Sequence, residues 1–161
     1  MDNLEFLAKN INDTESVAKA IAQATKDSGG LICLFGDVGA GKTTLVKFIA
    51  KYLNIKETVT SPSFVILNEY HSGDLSLYHF DLYRLETEGV KTILDELREY
   101  SESPNSLAIV EWAEFSDDEL PPQRLEIHIS YLDENSRKFN FSAKGTKSLT
   151  SLNKIETELK L

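Results

Sequence analysis

Lys42 and Thr43 stand behind three glycines, and the run Gly36-Asp37-Val38-Gly39-Ala40-Gly41-Lys42-Thr43 meets every fixed position of the P-loop pattern G-x-x-x-x-G-K-[ST]. These residue types at this spacing are suited to phosphate. The glycines let the backbone turn tightly enough for successive N–H groups to point inward at a phosphate chain. Lys42 carries positive charge toward the β- and γ-phosphates, and the Thr43 hydroxyl is a ligand for Mg²⁺. With Thr44 as the next helical residue, Gly36 to Thr44 are the expected nucleotide-binding residues. The expected ligands are a nucleoside triphosphate and Mg²⁺.

A site of this kind needs an acidic residue at the end of a second buried strand, to hold the cation or orient water. Two carboxylates qualify. Glu111 directly follows the apolar run Leu107-Ala108-Ile109-Val110, so its charge should emerge at the sheet edge where the phosphates sit. Asp81 ends Leu75-Ser76-Leu77-Tyr78-His79-Phe80, a less purely apolar run. Lys42, Asp81 and Glu111 are the candidate catalytic residues, and Thr43, Asp81 and Glu111 the candidate metal ligands. His79 lies near this chemistry and reads as a packed, hydrogen-bonded ring in preference to an acid–base group. His71 and His128 read as turn and strand surface. Arg84 reads as an ion-pair partner of the acidic residues around it, with contact to phosphate as the alternative. No Cys/His cluster points to zinc.

The elements that must position these residues follow from periodicity. Leu31 to Phe35 is a five-residue apolar run, hence a buried strand, and Leu45, Phe48, Ile49 and Leu53 have helical spacing within Thr44 to Leu53. Strand, glycine loop and helix aim a helix N-terminus at an anion. Before them, Asn12 or Asp13 is the expected cap of a helix carrying Val17, Ile21 and Ala24, closed by Gly29-Gly30. Ser61-Pro62 marks a break. Phe64 to His71 and Leu75 to Leu82 then read as an antiparallel hairpin turned at Ser72-Gly73-Asp74. Gly89 to Tyr100 is expected as a helix, with a loop from Ser101 to Ser106. Leu125, Ile127, Ile129 and Tyr131 alternate on a half-buried strand, Phe139 and Phe141 continue its antiparallel partner, and Leu149, Leu152, Ile155 and Leu159 line a last helix. The fold class is α/β, a P-loop nucleotide-hydrolase fold with a mixed parallel and antiparallel sheet flanked by helices. The 161 residues are expected to form one domain, 1–161.

Composition narrows the partners. The chain carries 26 acidic and 17 basic residues, a net charge of −9. From Asp81 to Glu119 twelve acidic residues face three basic ones, so that segment alone is −9 and the remainder balances. Such a field repels a nucleic-acid backbone, which needs Lys and Arg to displace counterions. Tight binding of nucleic acid by this chain alone is not expected; a protein partner with a basic patch is. No apolar stretch approaches a membrane span, and Met1 to Glu5 lacks the features of a signal peptide, so a cytoplasmic protein without membrane contact is expected. The single Cys33 sits within the predicted core strand as a buried thiol. Guanine-specific motifs fail: Asn153-Lys154-Ile155-Glu156 ends in Glu, and Asp27-Ser28-Gly29-Gly30 lies on the wrong side of the P-loop. Adenine, and so ATP, is the expected base.

Taken with the P-loop, Ser61-Pro62-Ser63-Phe64, His79 to Leu85 and Val110-Glu111-Trp112-Ala113-Glu114 occur in an order and spacing that resembles the TsaE family, also called YjeE. The resemblance covers roughly residues 5 to 132. It implies an ATP-hydrolysing, Mg²⁺-dependent subunit in bacterial tRNA threonylcarbamoyladenosine synthesis. It also implies action with the proteins TsaB and TsaD, TsaD making the transfer to adenosine 37 of tRNA. By the same resemblance Ser61 and Ser63 belong to a switch-like segment, Asp81 is the Mg²⁺-side aspartate, and Glu111 with Trp112 forms a Walker B-like pair. Ser63 stands where the family usually has Thr, and Thr92-Ile93-Leu94-Asp95 replaces a usual leucine-glycine pattern. Trp112 reads either as a sensor beside the nucleotide or as a cap on the core. The alternative activity is a small-molecule kinase. That chemistry calls for a mobile, arginine-bearing lid, whereas Arg84, Arg98, Arg124 and Arg137 are scattered. A nucleotide-sensing adaptor is the third class.

Overall fold

Leu31, Cys33 and Phe35 pack on one side of a strand and Ile32 and Leu34 on the other, and all five are buried. Burial on both faces belongs to a strand inside a sheet covered by helices on each side. The computed structural model describes residues 2–37, 39–60, 66–82, 91–113 and 120–161, without the side chains of Lys91 and Thr92. Its elements in chain order are β1 (Asn3–Ala8), α1 (Ile11–Thr25), β2 (Gly30–Phe35), α2 (Lys42–Tyr52), β3 (Leu67–Tyr70), β4 (Ser76–Asp81), α3 (Lys91–Glu102), β5 (Ser106–Glu111), β6 (Arg124–Tyr131), β7 (Arg137–Lys144) and α4 (Thr146–Leu159).

The strands form one seven-stranded sheet in the order β1-β7-β6-β2-β5-β4-β3. The inner strands β6, β2, β5 and β4 are mutually parallel, while β1, β7 and β3 add antiparallel edges. Two cores result. One joins Ile32, Leu34, Leu77, Leu107 and Ile109 to α1, α2 and α4; the other joins Leu31, Cys33, Phe80, Ala108 and Val110 to Ile93 and Leu97 of α3. The chain leaves β2 for α2, with β5 on one side of β2 and β6 on the other. Ligands of open α/β sheets bind at the carboxyl ends of the strands where the order switches in this way.

Several details depart from expectation. The cap of α1 is Asn10, whose side chain accepts from the Asp13 N–H at 2.9 Å, and neither Asn12 nor Asp13 holds that position. Asp13 instead accepts from the N–H of Lys9, the residue before the cap, at 2.9 Å. The edge strand β1 was not anticipated, and α3 runs through Ser101 and Glu102 into the expected loop. The hairpin of β3 and β4 lies within the expected segments, of which Phe64 and Val65 fall outside the described residues, and the strand pair β6 and β7 and the helix α4 lie where expected. Glu15 ties α1 to α2 by accepting from Lys51 at 2.8 Å and from the Tyr52 hydroxyl at 2.5 Å, and those donors hold its carboxyl below the ordinary range. Among the described residues no helix is long and apolar enough to cross a membrane.

Candidate functional site

Because β2, β4 and β5 are parallel, their carboxyl ends share one edge of the sheet, and the glycine loop, Asp81 and Glu111 meet there. Asp81 and Glu111 are partners in register across β4 and β5. Both side chains are buried, at 3% exposure each. On β4 the period of two puts Leu77, His79 and Asp81 on the α2 side of the sheet, and on β5 it does the same for Leu107, Ile109 and Glu111. The polar residues thus continue two apolar rows to the edge, where α2 begins.

The loop geometry explains its glycines. A Cβ on Gly36 would lie 2.7 Å from the Ile129 carbonyl oxygen, so the strand-to-loop exit admits no side chain. Gly41 caps α2 at φ 105°, a left-handed conformation that glycine adopts without strain. The loop closes on itself through the Ala40 N–H donating to the Asp37 carbonyl at 3.0 Å. α2 starts at Lys42, two residues earlier than the apolar spacing suggests, so Lys42, Thr43 and Thr44 form its first turn.

Thr43 and Glu111 meet directly. The Thr43 hydroxyl lies 3.0 Å from Oε1 and 3.1 Å from Oε2 of Glu111. His79 is fully buried, and its Nε2 lies 2.5 Å from Glu111 Oε2. Lys42 is 5% exposed; its ammonium donates to the Gly36 carbonyl, reaches the Asp37 carbonyl at 3.4 Å, and sits 3.7 Å from the centre of the Trp112 ring. Trp112 itself takes φ 60°, an uncommon conformation for an aromatic residue. That turn breaks the strand's alternation, so that consecutive Glu111 and Trp112 both address the loop. Trp112 is therefore beside the lysine, and it also packs against the α3-side core.

The donor set suits a hard cation. Thr43, Asp81 and Glu111 offer oxygen, and among the described residues no group of three or more His, Cys, Asp or Glu forms a self-sufficient metal cage. Mg²⁺ is usually held this way, by one or two carboxylates with water and substrate phosphate completing its shell.

Sequence reasoning missed the other flank of the loop. Arg137 on β7 donates from Nε to the Ala40 carbonyl at 3.0 Å, with its guanidinium 4.6 Å from the centre of the Tyr131 ring. Beside it a cavity of about 240 Å³ is lined by Asn10, Ile11, Thr14, Gly41, Thr44, Arg137 and Phe139, among others. Only the pairing of β7 with β6 brings Arg137 there, and no local pattern announces it. Val38, Ser61, Ser63 and Arg84 lie outside the described residues.

Comparison with known proteins adds an independent line. The sequence profile of a family described as "Threonylcarbamoyl adenosine biosynthesis protein TsaE" matches residues 8–139. The chain is 39% identical over 147 residues to the tRNA threonylcarbamoyladenosine biosynthesis protein TsaE of Bacillus subtilis, covering 91% of this chain and 90% of that protein. It is 38% identical to the protein of the same name from Aquifex aeolicus, covering 83% of this chain and 92% of that one. Among solved structures, the crystal structure of Bacillus subtilis YdiB superposes with a TM-score of 0.79 at 32% identity, covering 96% of this chain and 95% of that one.

Proposed function

The chain belongs to the TsaE family of tRNA threonylcarbamoyladenosine biosynthesis proteins, and from that membership we propose a Mg²⁺-dependent ATPase subunit that acts with TsaB and TsaD. The observation that carries the reading is the Thr43 hydroxyl held by both oxygens of Glu111 at the mouth of a P-loop. It joins the residue a P-loop uses for its cation to a carboxylate from a second strand.

In this reading Lys42 leaves two neutral carbonyl acceptors for the β- and γ-phosphates, a charge-assisted and stronger pairing. The loop amides line the phosphate chain, and the nucleoside lies in the cavity between Asn10, Thr14 and Arg137. Thr43 and Asp81, with Glu111 beside them, would hold Mg²⁺, whose chemistry is to neutralise charge on the phosphate oxygens. Glu111 orients the attacking water. The buried edge formed by His79, Asp81 and Glu111 keeps bulk water from the carboxylates. Hydrolysis by the chain alone is slow in this reading, because Arg84, Arg98, Arg124 and Arg137 are scattered along the sequence and do not cluster in one lid-like segment.

Trp112 gives this reading a signal. Drawing Lys42 from the indole face toward phosphate removes a cation from the ring of the only tryptophan. Titration of ATP or ADP with Mg²⁺ is expected to change its emission saturably, and Lys42→Ala to abolish the change. Calorimetric binding with flat emission would contradict the placement of Lys42 and Trp112 at the nucleotide.

The pathway role is tested by reconstitution. TsaB, TsaD, tRNA, the threonylcarbamoyl donor and ATP are combined with and without this chain. Repeated rounds of adenosine modification are expected only when the chain and hydrolysable ATP are both present. Equal product without the chain would overturn the proposal.

A further inference from the structure

The alternation of β4 makes position 79 a core position. Leu77, two residues earlier on the same side of the sheet, is fully buried and apolar, and so is Ile109, the register partner of His79 on β5. An aliphatic residue at 79 would continue that row at no polar cost. His79 is instead fully buried, and its Nδ1 has no hydrogen-bond partner among the described residues, a penalty that packing alone does not account for. Its other nitrogen makes one contact, 2.5 Å to Glu111 Oε2.

Glu111 is therefore gripped from two sides that differ in kind. Thr43 sits on the first turn of α2, directly after the glycine loop, and its hydroxyl is the group a cation would claim. His79 sits inside the sheet, between β3 and β5, where its backbone pairs on both sides. When Thr43 turns toward a cation, the His79 contact is the one that, among the described residues, still fixes which way the carboxylate faces.

We infer that His79 is a positioning residue, holding Glu111 Oε2 through Nε2 so that the carboxylate stays aimed once Thr43 is engaged elsewhere. The inference rests on the role proposed for Glu111. A hydrogen bond of this kind orients the carboxylate without touching nucleotide, so its loss lowers turnover and leaves affinity alone. Partners that orient site ligands from behind are worth about 10- to 100-fold in activity or metal affinity.

The test compares two isosteric amides. Gln places its amide nitrogen near the reach of Nε2, whereas Asn reaches only to that of Nδ1. His79→Asn is expected to lower kcat by about 10- to 100-fold with KM and calorimetric ATP affinity unchanged, and His79→Gln to recover most of the rate. Melting temperatures of both variants separate this from a packing defect, which would scale with stability and ignore which nitrogen is restored. In nitrogen-15-edited spectra of the nucleotide-free protein, one imidazole N–H protected from exchange is expected, and it should shift in Glu111→Ala and persist in Lys42→Ala. Equal rates for the Asn and Gln variants, or a protected N–H indifferent to Glu111→Ala, would overturn the inference. If Glu111→Ala itself hydrolyses ATP at the wild-type rate, the proposed role of Glu111 fails first. If Glu111→Ala is inactive while His79→Asn turns over fully, only the positioning role is lost.

Discussion

Lys42→Ala is expected to abolish productive ATP binding and leave the sheet standing. The Lys42 ammonium lies inside the loop, bonded to the carbonyls of Gly36 and Asp37. Removing one partner from a buried charged hydrogen bond costs about 2–5 kcal/mol, which corresponds to a loss of affinity of about 30- to several-thousand-fold. The fold has less at stake. Lys42 contributes a cation–π contact with Trp112 and its hydrogen bonds within the loop, while the α2 core rests on Leu45, Val46 and Ile49, which are fully buried. A cation–π contact is worth about 0.5–2 kcal/mol, so the melting temperature should fall by only several degrees. Isothermal calorimetry with far-UV circular dichroism checks both halves. Undiminished ATP affinity in a folded variant would remove Lys42 from the site.

Glu111→Ala should separate binding from turnover. The nucleotide contacts assigned to the loop and Lys42 remain, so ATP still binds, while hydrolysis falls by about 10²-fold or more if the carboxylate orients water. The substitution also strands two polar groups, the Thr43 hydroxyl and His79 Nε2, which now share Glu111 as acceptor. Stranding the fully buried His79 nitrogen costs about 1–3 kcal/mol, whereas the half-buried Thr43 hydroxyl can turn to water. Against that stands relief of a carboxylate buried beside Asp81 in register. Single-turnover phosphate release, measured with saturating ATP, isolates the chemical step. Retained hydrolysis would transfer the role to Asp81.

How much of this was legible in the sequence follows distance along the chain. The P-loop and the strand before it are contiguous, and each residue type carries its own reason, so the order of strand, glycine loop and helix could be read directly. Glu111 was legible because a charge ending a four-residue apolar run belongs at a strand end, which is where β5 stops. The pairing of Asp81 with Glu111 was not, because register across parallel strands depends on how α3 returns the chain. His79 was read as a packed, bonded ring, which its burial bears out; that its bond falls on Glu111 came only from the alternation of β4 beside β5. β1 was hidden by its own pattern: Leu4, Phe6 and Ala8 alternate with Asn3 and Glu5, but Leu7, 47% exposed on the outward side, breaks the signal. Without β1 ending at Ala8, no local signal marks Asn10 as the cap of α1. Arg137 lies 97 residues from the Ala40 carbonyl it holds, and no spacing rule spans that interval.

In the proposed function, a P-loop and a second-strand carboxylate form one site that hydrolyses ATP in the service of partner proteins. Phosphate release from ATP by the purified chain tests it most directly, with and without Mg²⁺, with and without TsaB and TsaD, and with nucleosides, sugars and small alcohols as acceptors. The expected result is slow release by the chain alone, lost on chelation of Mg²⁺ and in Glu111→Ala, changed by the partners, and with no phosphoryl group on any acceptor. Mg²⁺-independent release, release indifferent to Glu111, or rapid ADP formation that depends on an acceptor would contradict it.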